Sequence, residues 1–147
     1  MRFGRKPKGE AVRFEDCTPL VRTWFGNDDA WESLVASVST PSDDGFLANV
    51  QIVDDREHAG ATPSDLAALL PSQDEYSIVI AADERAMTDG EMPLLIVLAD
   101  GSQELPTLRV ISSELWGIEN NLWLANMEWD SFVEASDGDG VFRGFTR

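Results

Sequence analysis

The single histidine, His58, sits in the run Asp54-Asp55-Arg56-Glu57-His58, directly after a segment that reads as a β-strand. A histidine among carboxylates at a strand end is the combination that general acid–base or divalent-metal chemistry requires, and open α/β sheets place functional loops there. Carboxylates recur in this position: Asp54, Asp55, Asp83, Glu84 and Asp100 each follow a predicted strand. Several of them would converge at one edge of a parallel sheet, where clustered carboxylates hold magnesium or share a proton. On this reading the chain is a small divalent-metal-dependent enzyme, with Asp54, Asp55, Asp83 or Asp100 as ligands and His58 as acid or base. The competing reading is plainer: acids at strand ends are ordinary turn formers, and a lone histidine in a polar loop is merely solvated.

Other chemistries lack their residues. Cys17 is flanked by Glu15 and Asp16, which would raise a thiol's pKa, the wrong direction for a nucleophile. There is no G-x-S-x-G, no G-x-G-x-x-G and no G-x-x-x-x-G-K-[ST], so serine-triad and phosphate-cradling motifs are absent. A phosphoacceptor receiver needs a lysine at its last strand, and no lysine follows Lys8. Asp137-Gly138-Asp139-Gly140 resembles half a calcium loop without the bidentate acid at its end. No catalytic residue and no cofactor is therefore expected.

Charge narrows the partners. The chain carries −16 over 147 residues, yet residues 1–13 hold Arg2, Arg5, Lys6, Lys8 and Arg13 against Glu10, a net of +4 that leaves −20 on the rest. Such a body repels nucleic-acid phosphates and anionic membranes and steers basic proteins toward itself. No apolar run reaches the roughly 20 residues of a membrane-spanning helix, and the basic start lacks the apolar stretch of a signal peptide. One cysteine allows no internal disulfide, so the expected location is the cytoplasm.

The elements that must position these residues follow from spacing. A strand is expected over Pro19–Phe25. A helix capped by Asn27 follows, burying Trp31, Leu34, Val35 and Val38 at i, i+3, i+4, i+7, and then a second strand over Phe46–Val53. Thr62-Pro63-Ser64-Asp65 starts another helix, with a capping hydroxyl, a first-turn proline and an acid placed to reach back. The apolar runs Tyr76–Ala82 and Pro93–Ala99 read as strands buried on both faces. Leu105–Ile111 returns antiparallel to the second of these runs after a turn at Asp100-Gly101. Beyond Ser112 a short helical turn, a turn at Glu119-Asn120-Asn121, a short strand over Leu122–Ala125, a helix capped by Asn126 and an edge strand or packed tail over Val141–Phe145 are expected. The fold class is α/β bordering on α+β: a single-layer mixed sheet of five to six strands, parallel at the front, with three main helices packed on it. Residues 1–18 are expected as a flexible basic tail and 19–147 as one acidic domain.

The last quarter is rich in tryptophan: Trp116, Trp123 and Trp129 lie near Phe132 and Phe142, as a dense core or as a partner site. The phrases Ser113-Glu114-Leu115-Trp116, Glu119-Asn120-Asn121-Leu122, Ala125-Asn126-Met127 and Gly140-Val141-Phe142-Arg143-Gly144-Phe145 stand there. With the earlier Leu20-Val21-Arg22-Thr23 and Gly45-Phe46 to Val53-Asp54-Asp55, they resemble a bacterial family of small acidic proteins, a domain of unknown function (DUF 6924-like). The resemblance implies a single domain over roughly residues 19–145 and carries no catalytic residues with it. Physically, Glu114, Glu119, Asn120, Asn121 and Asn126 can satisfy backbone groups in an irregular segment anchored by Trp116, with Arg143 paired to one of those acids. That constellation is either a structural lock or a site. The favoured function is a non-enzymatic interaction module for a basic protein, in the specific form of an immunity or antidote protein.

Overall fold

The computed structural model describes residues 17–70, 77–99, 104–123 and 129–145. Among these residues, six strands form one mixed sheet in the order β2-β1-β3-β4-β5-β6: β1 Thr18–Arg22, β2 Val50–Val53, β3 Ser77–Ala82, β4 Pro93–Ala99, β5 Thr107–Ile111 and β6 Val141–Phe142. The front is parallel, β1 pairing with β2 and β3. β4 is antiparallel to both β3 and β5, and β6 runs parallel to β5. Among the described residues the α-helices are α1 Asp28–Val38, α2 Pro63–Ala67, α3 Glu84–Thr88, α4 Leu115–Trp123 and α5 Trp129–Ala135. The chain is thus an α/β protein.

Side chains alternate across the pleat and feed two cores. Leu20, Ile80, Leu94, Ile96, Leu98, Leu108 and Val110 face one side, where Trp31 and Leu34 of α1, Leu115 and Ile118 of α4, and Phe132 of α5 cover them. Val21, Val79, Ala81, Val97 and Ala99 face the other, under Leu66 and Ala67 of α2. The connections β1-α1-β2 and β2-α2-β3 step outward from β1 and back past it, and they lay α1 and α2 on opposite faces of the sheet. Burial on both faces is why β3 and β4 read as unbroken apolar runs.

Helix starts obey local chemistry. Asn27 Oδ1 accepts from the Ala30 N–H at 3.0 Å, with Asp28 and Asp29 in the first turn of α1. At α2 the Thr62 hydroxyl accepts from the Asp65 N–H, and the Asp65 carboxylate accepts from the Thr62 N–H.

Several expectations need correction. Cys17 and Thr18, placed in the tail, are buried, and Thr18 begins β1, which stops at Arg22 and not at Phe25. The second strand starts at Val50: the Asn49 carbonyl still accepts from the Thr18 N–H, but the Asn49 N–H goes to the Glu119 carboxylate. Glu119-Asn120-Asn121 is not a turn but the interior of α4. Asn120 and Asn121 donate to the carbonyls four residues back, Trp116 and Gly117, at 2.7 Å each, satisfying within the helix the groups that would otherwise favour a turn. Leu122 and Trp123 end that helix in place of a strand. β5 starts at Thr107, since Leu105 has φ 49° and Pro106 has no N–H to give. α3 and the 3-10 turn Arg56–His58 were not anticipated. Residues 1–16, the Asp100-Gly101 turn and the Asn126 cap lie outside the described residues.

Candidate functional site

The strand-end carboxylates do gather where β1, β2 and β3 end together, but arginines and backbone hold them. Arg22, 4% exposed, donates through Nε to the Trp24 carbonyl (3.0 Å) and through its two terminal nitrogens to Asp28 (2.7 Å) and Asp54 (3.5 Å). Its guanidinium lies 4.4 Å from the Phe25 ring centroid and 5.3 Å from that of Trp31, so the buried charge is neutralised and stacked at once. The hydrogen bond from Arg22, and then its charge, hold the Asp28 carboxyl below its usual range. Asp55 accepts from the Glu57 N–H and caps the 3-10 turn. Asp83 accepts from the Ala86 N–H, capping α3, and takes a two-pronged Arg109 contact at 3.0 and 2.7 Å. Ala99, the last described residue of β4, stands opposite Ser77 at the other end of the sheet; Asp100 itself is outside the described residues. His58 is mostly covered, with Nε2 3.9 Å from the Glu57 carboxylate. Among the described residues no group of three or more His, Cys, Asp or Glu side chains is placed to hold a metal ion.

The α4 residues lock a distant segment. Glu119, 1% exposed, accepts from the Thr18 hydroxyl (3.0 Å) and the Asn49 N–H (2.8 Å). Burial pushes its carboxyl above the usual value, against the pull of those two donors, Asn49 first. Asn120 also donates to the Leu47 carbonyl at 3.1 Å. Trp116 stacks on Phe46, with centroids 5.3 Å apart and planes 11° from parallel. Glu119, Asn120 and Trp116 therefore fasten Phe46–Asn49, while Asn121 serves its own helix. Arg143 engages Glu91, Asp137 and Asp139 at 2.7–2.9 Å, in place of the Glu114 or Glu119 expected for it.

Beside this lock a groove of about 740 Å³ opens between the C-terminal end of α1, the 40–44 loop, the start of α4 and residues 144–145. Asp43, Asp44 and Glu114 supply carboxylates, Ser37, Thr40, Ser42 and Ser113 hydroxyls, and Trp116 and Phe145 aromatic surface. Among the described residues that line it there is no His, Cys, Lys or Arg. The 42–46 loop is closed on itself: the Ser42 N–H donates to the Phe46 carbonyl, and the Phe46 and Gly45 N–H groups donate back to the Ser42 hydroxyl and carbonyl. Asp43 and Asp44 are thereby held outward on a fixed turn whose Gly45 has φ 88°. Gly144, at φ 100°, passes so close that a Cβ would sit 3.2 Å from Glu114 Oε1. Phe145 packs on Phe132 and Phe142 (centroids 5.5 and 5.0 Å) yet stays 42% exposed, and Phe46 is 52% exposed. Asp43 and Asp44 stand where the sequence pattern predicts only a loop, and Phe46 where it predicts a strand. The signal available was that Gly45-Phe46, Ser113 to Trp116 and Gly144-Phe145 all belonged to the family-like phrases, which meet here.

Chemically, the groove offers carboxylates, hydroxyls and aromatic faces, a lining suited to a cation. A mixed-sheet α/β domain with an acidic, aromatic-walled groove is the class that fold and site define. The family model described as Domain of unknown function (DUF6924) matches residues 17–145, and the chain belongs to that family. No curated protein matches it significantly. Among the described residues no helix is long and apolar enough to cross a membrane.

Proposed function

We propose that this chain is a non-enzymatic protein-interaction module that receives a basic segment of a partner protein in the groove, in the manner of an antidote covering a basic site. The observation that carries the reading is the groove itself, where exposed aromatic surface and carboxylates share one concavity and none of the described lining residues is cationic. Arginine and lysine suit such a surface, since each can pair with Asp43 or Asp44 while its charge lies over an aromatic face, a contact contributing about 0.5–1 kcal/mol when exposed. The −20 body adds long-range attraction for a basic protein and repulsion for nucleic acid, both screened beyond about 10 Å at 0.1 M salt. Cytoplasmic residence fits the lone, buried Cys17, which forms no disulfide within the chain.

The test is an NMR titration of the full chain with a short Arg- and Lys-bearing peptide and a glutamine-substituted control. Binding should shift the amides of residues 42–46 and 144–145 and the Trp116 indole, and should weaken as salt rises from about 50 to about 300 mM. Asp43→Asn with Asp44→Asn should weaken it about tenfold, the equivalent of about 1.4 kcal/mol. Equal shifts with the neutral peptide, or shifts outside the groove only, would overturn the reading.

A further inference from the structure

We infer that the groove also receives the chain's own basic N-terminal segment, residues 1–13, in cis, so that the segment competes with any outside partner. This rests on the cation-accepting reading of the groove given above.

The point of entry into the fold carries the inference. The Thr18 N–H donates to the Asn49 carbonyl at 3.0 Å, and its hydroxyl donates to Glu119 of α4 at 3.0 Å. Glu119 stands three residues along α4 from Trp116, a rise of about 4.5 Å. Asn49 ends the stretch whose Phe46 stacks on Trp116. Thr18 therefore enters the sheet against α4, the helix whose Trp116 forms the aromatic wall of the groove. At no more than about 3.3–3.6 Å per residue, Arg13 can reach roughly 14 Å from Cys17 and Lys6 close to 40 Å, so the groove lies within reach.

Charge agrees with reach. Residues 1–13 hold five of the chain's eleven lysines and arginines and a net of +4. The groove presents the exposed carboxylates of Asp43 and Asp44. Among the described residues, three arginines are paired with acids elsewhere: Arg22 with Asp28 and Asp54, Arg109 with Asp83, and Arg143 with Glu91, Asp137 and Asp139. A tether this short sets an effective concentration in roughly the millimolar range, enough for individually weak contacts to compete with a free peptide.

The experiment compares the full chain with a variant carrying Arg2, Arg5, Lys6, Lys8 and Arg13 each changed to Gln. Neutralisation should move the amides of residues 42–46 and the Trp116 indole, and the difference should vanish in high salt and be independent of protein concentration. The basic peptide used above should bind the neutralised chain about tenfold more tightly than the wild type. The reciprocal variant, Asp43→Asn with Asp44→Asn, should move signals of residues 1–13 without altering the stability of the sheet. Unchanged groove signals on neutralisation overturn the inference, and so does a difference that grows with protein concentration, which would mean a second copy's segment. If both forms bind the peptide equally, the cis contact is refuted and the interaction reading stands. If neutralisation moves the groove signals but neither form binds any basic peptide, the cis contact stands and the partner reading falls.

Discussion

Replacing Glu119 separates the charge of that side chain from its hydrogen bonds. In Glu119→Leu the bulk is nearly kept, but the Thr18 hydroxyl, in a residue 5% exposed, and the Asn49 N–H lose their acceptor. Each unmade bond to a buried group costs about 1–3 kcal/mol, and the Asn49 end can partly rehydrate, so the loss should total about 2–4 kcal/mol. For a chain of this size that lowers Tm by roughly 5–15 °C. Glu119→Gln keeps an acceptor for the Asn49 N–H and can donate its amide to the Thr18 hydroxyl, so it should stay within about 1 kcal/mol of wild type at neutral pH. The pH dependence is the sharper measurement. Burial raises the folded-state pKa of Glu119, so between its unfolded and folded pKa values the native state holds a proton that the unfolded chain lacks. Wild-type stability should therefore gain on Glu119→Gln as pH falls through the folded pKa, and level off below the unfolded value. Every other acid titrates alike in both proteins and cancels in the difference. Urea unfolding from about pH 8 to about pH 4 reads it directly. A difference that is flat, or that favours Gln as pH falls, would refute the account of Glu119 as a buried, desolvated carboxylate.

Two further substitutions test the edge where the parallel strands end. Arg22→Met should cost about 2–3 kcal/mol in chemical denaturation, less than a fully buried pair because Asp28 and Asp54 rehydrate, and Arg22→Lys should not restore it, lacking the planar fork. In the same Arg22→Met protein the Asp28 carboxyl, followed by NMR, should titrate higher than in wild type, and an unchanged midpoint would break the link. Asp83→Ala removes both the α3 cap and the Arg109 partner and should cost about 2–3 kcal/mol, whereas Asp83→Asn keeps the cap and should lose about half as much. Equal losses in the two variants would mean that the cap contributes nothing.

What the sequence determined by itself was what neighbours a few residues apart decide. Asn27 and Thr62-Pro63-Ser64-Asp65 mark helix starts because a capping bond spans three residues, and both caps form as the spacing dictates. Trp31, Leu34 and Val38 are buried because 3.6-residue periodicity aligns them. The apolar runs of β3 and β4 announced burial on both faces, and the β4–β5 pairing came out antiparallel as the short connection required. Glu119-Asn120-Asn121 misled because a turn and a helix interior look alike locally. The choice was made by Thr18, Leu47 and Asn49, up to 101 positions away. The groove, too, was invisible in one dimension, since the end of α1, the start of α4 and Gly144-Phe145 meet only when the sheet brings them together, with Ser37 and Ser112 joined at 2.7 Å across 75 positions. Only the tertiary structure could show that the carboxylates at the strand ends are held by arginines and helix caps, while Asp43 and Asp44, read as an ordinary loop, line the groove. A carboxylate's role depends on which cations stand within about 4 Å, and chain order does not encode that distance.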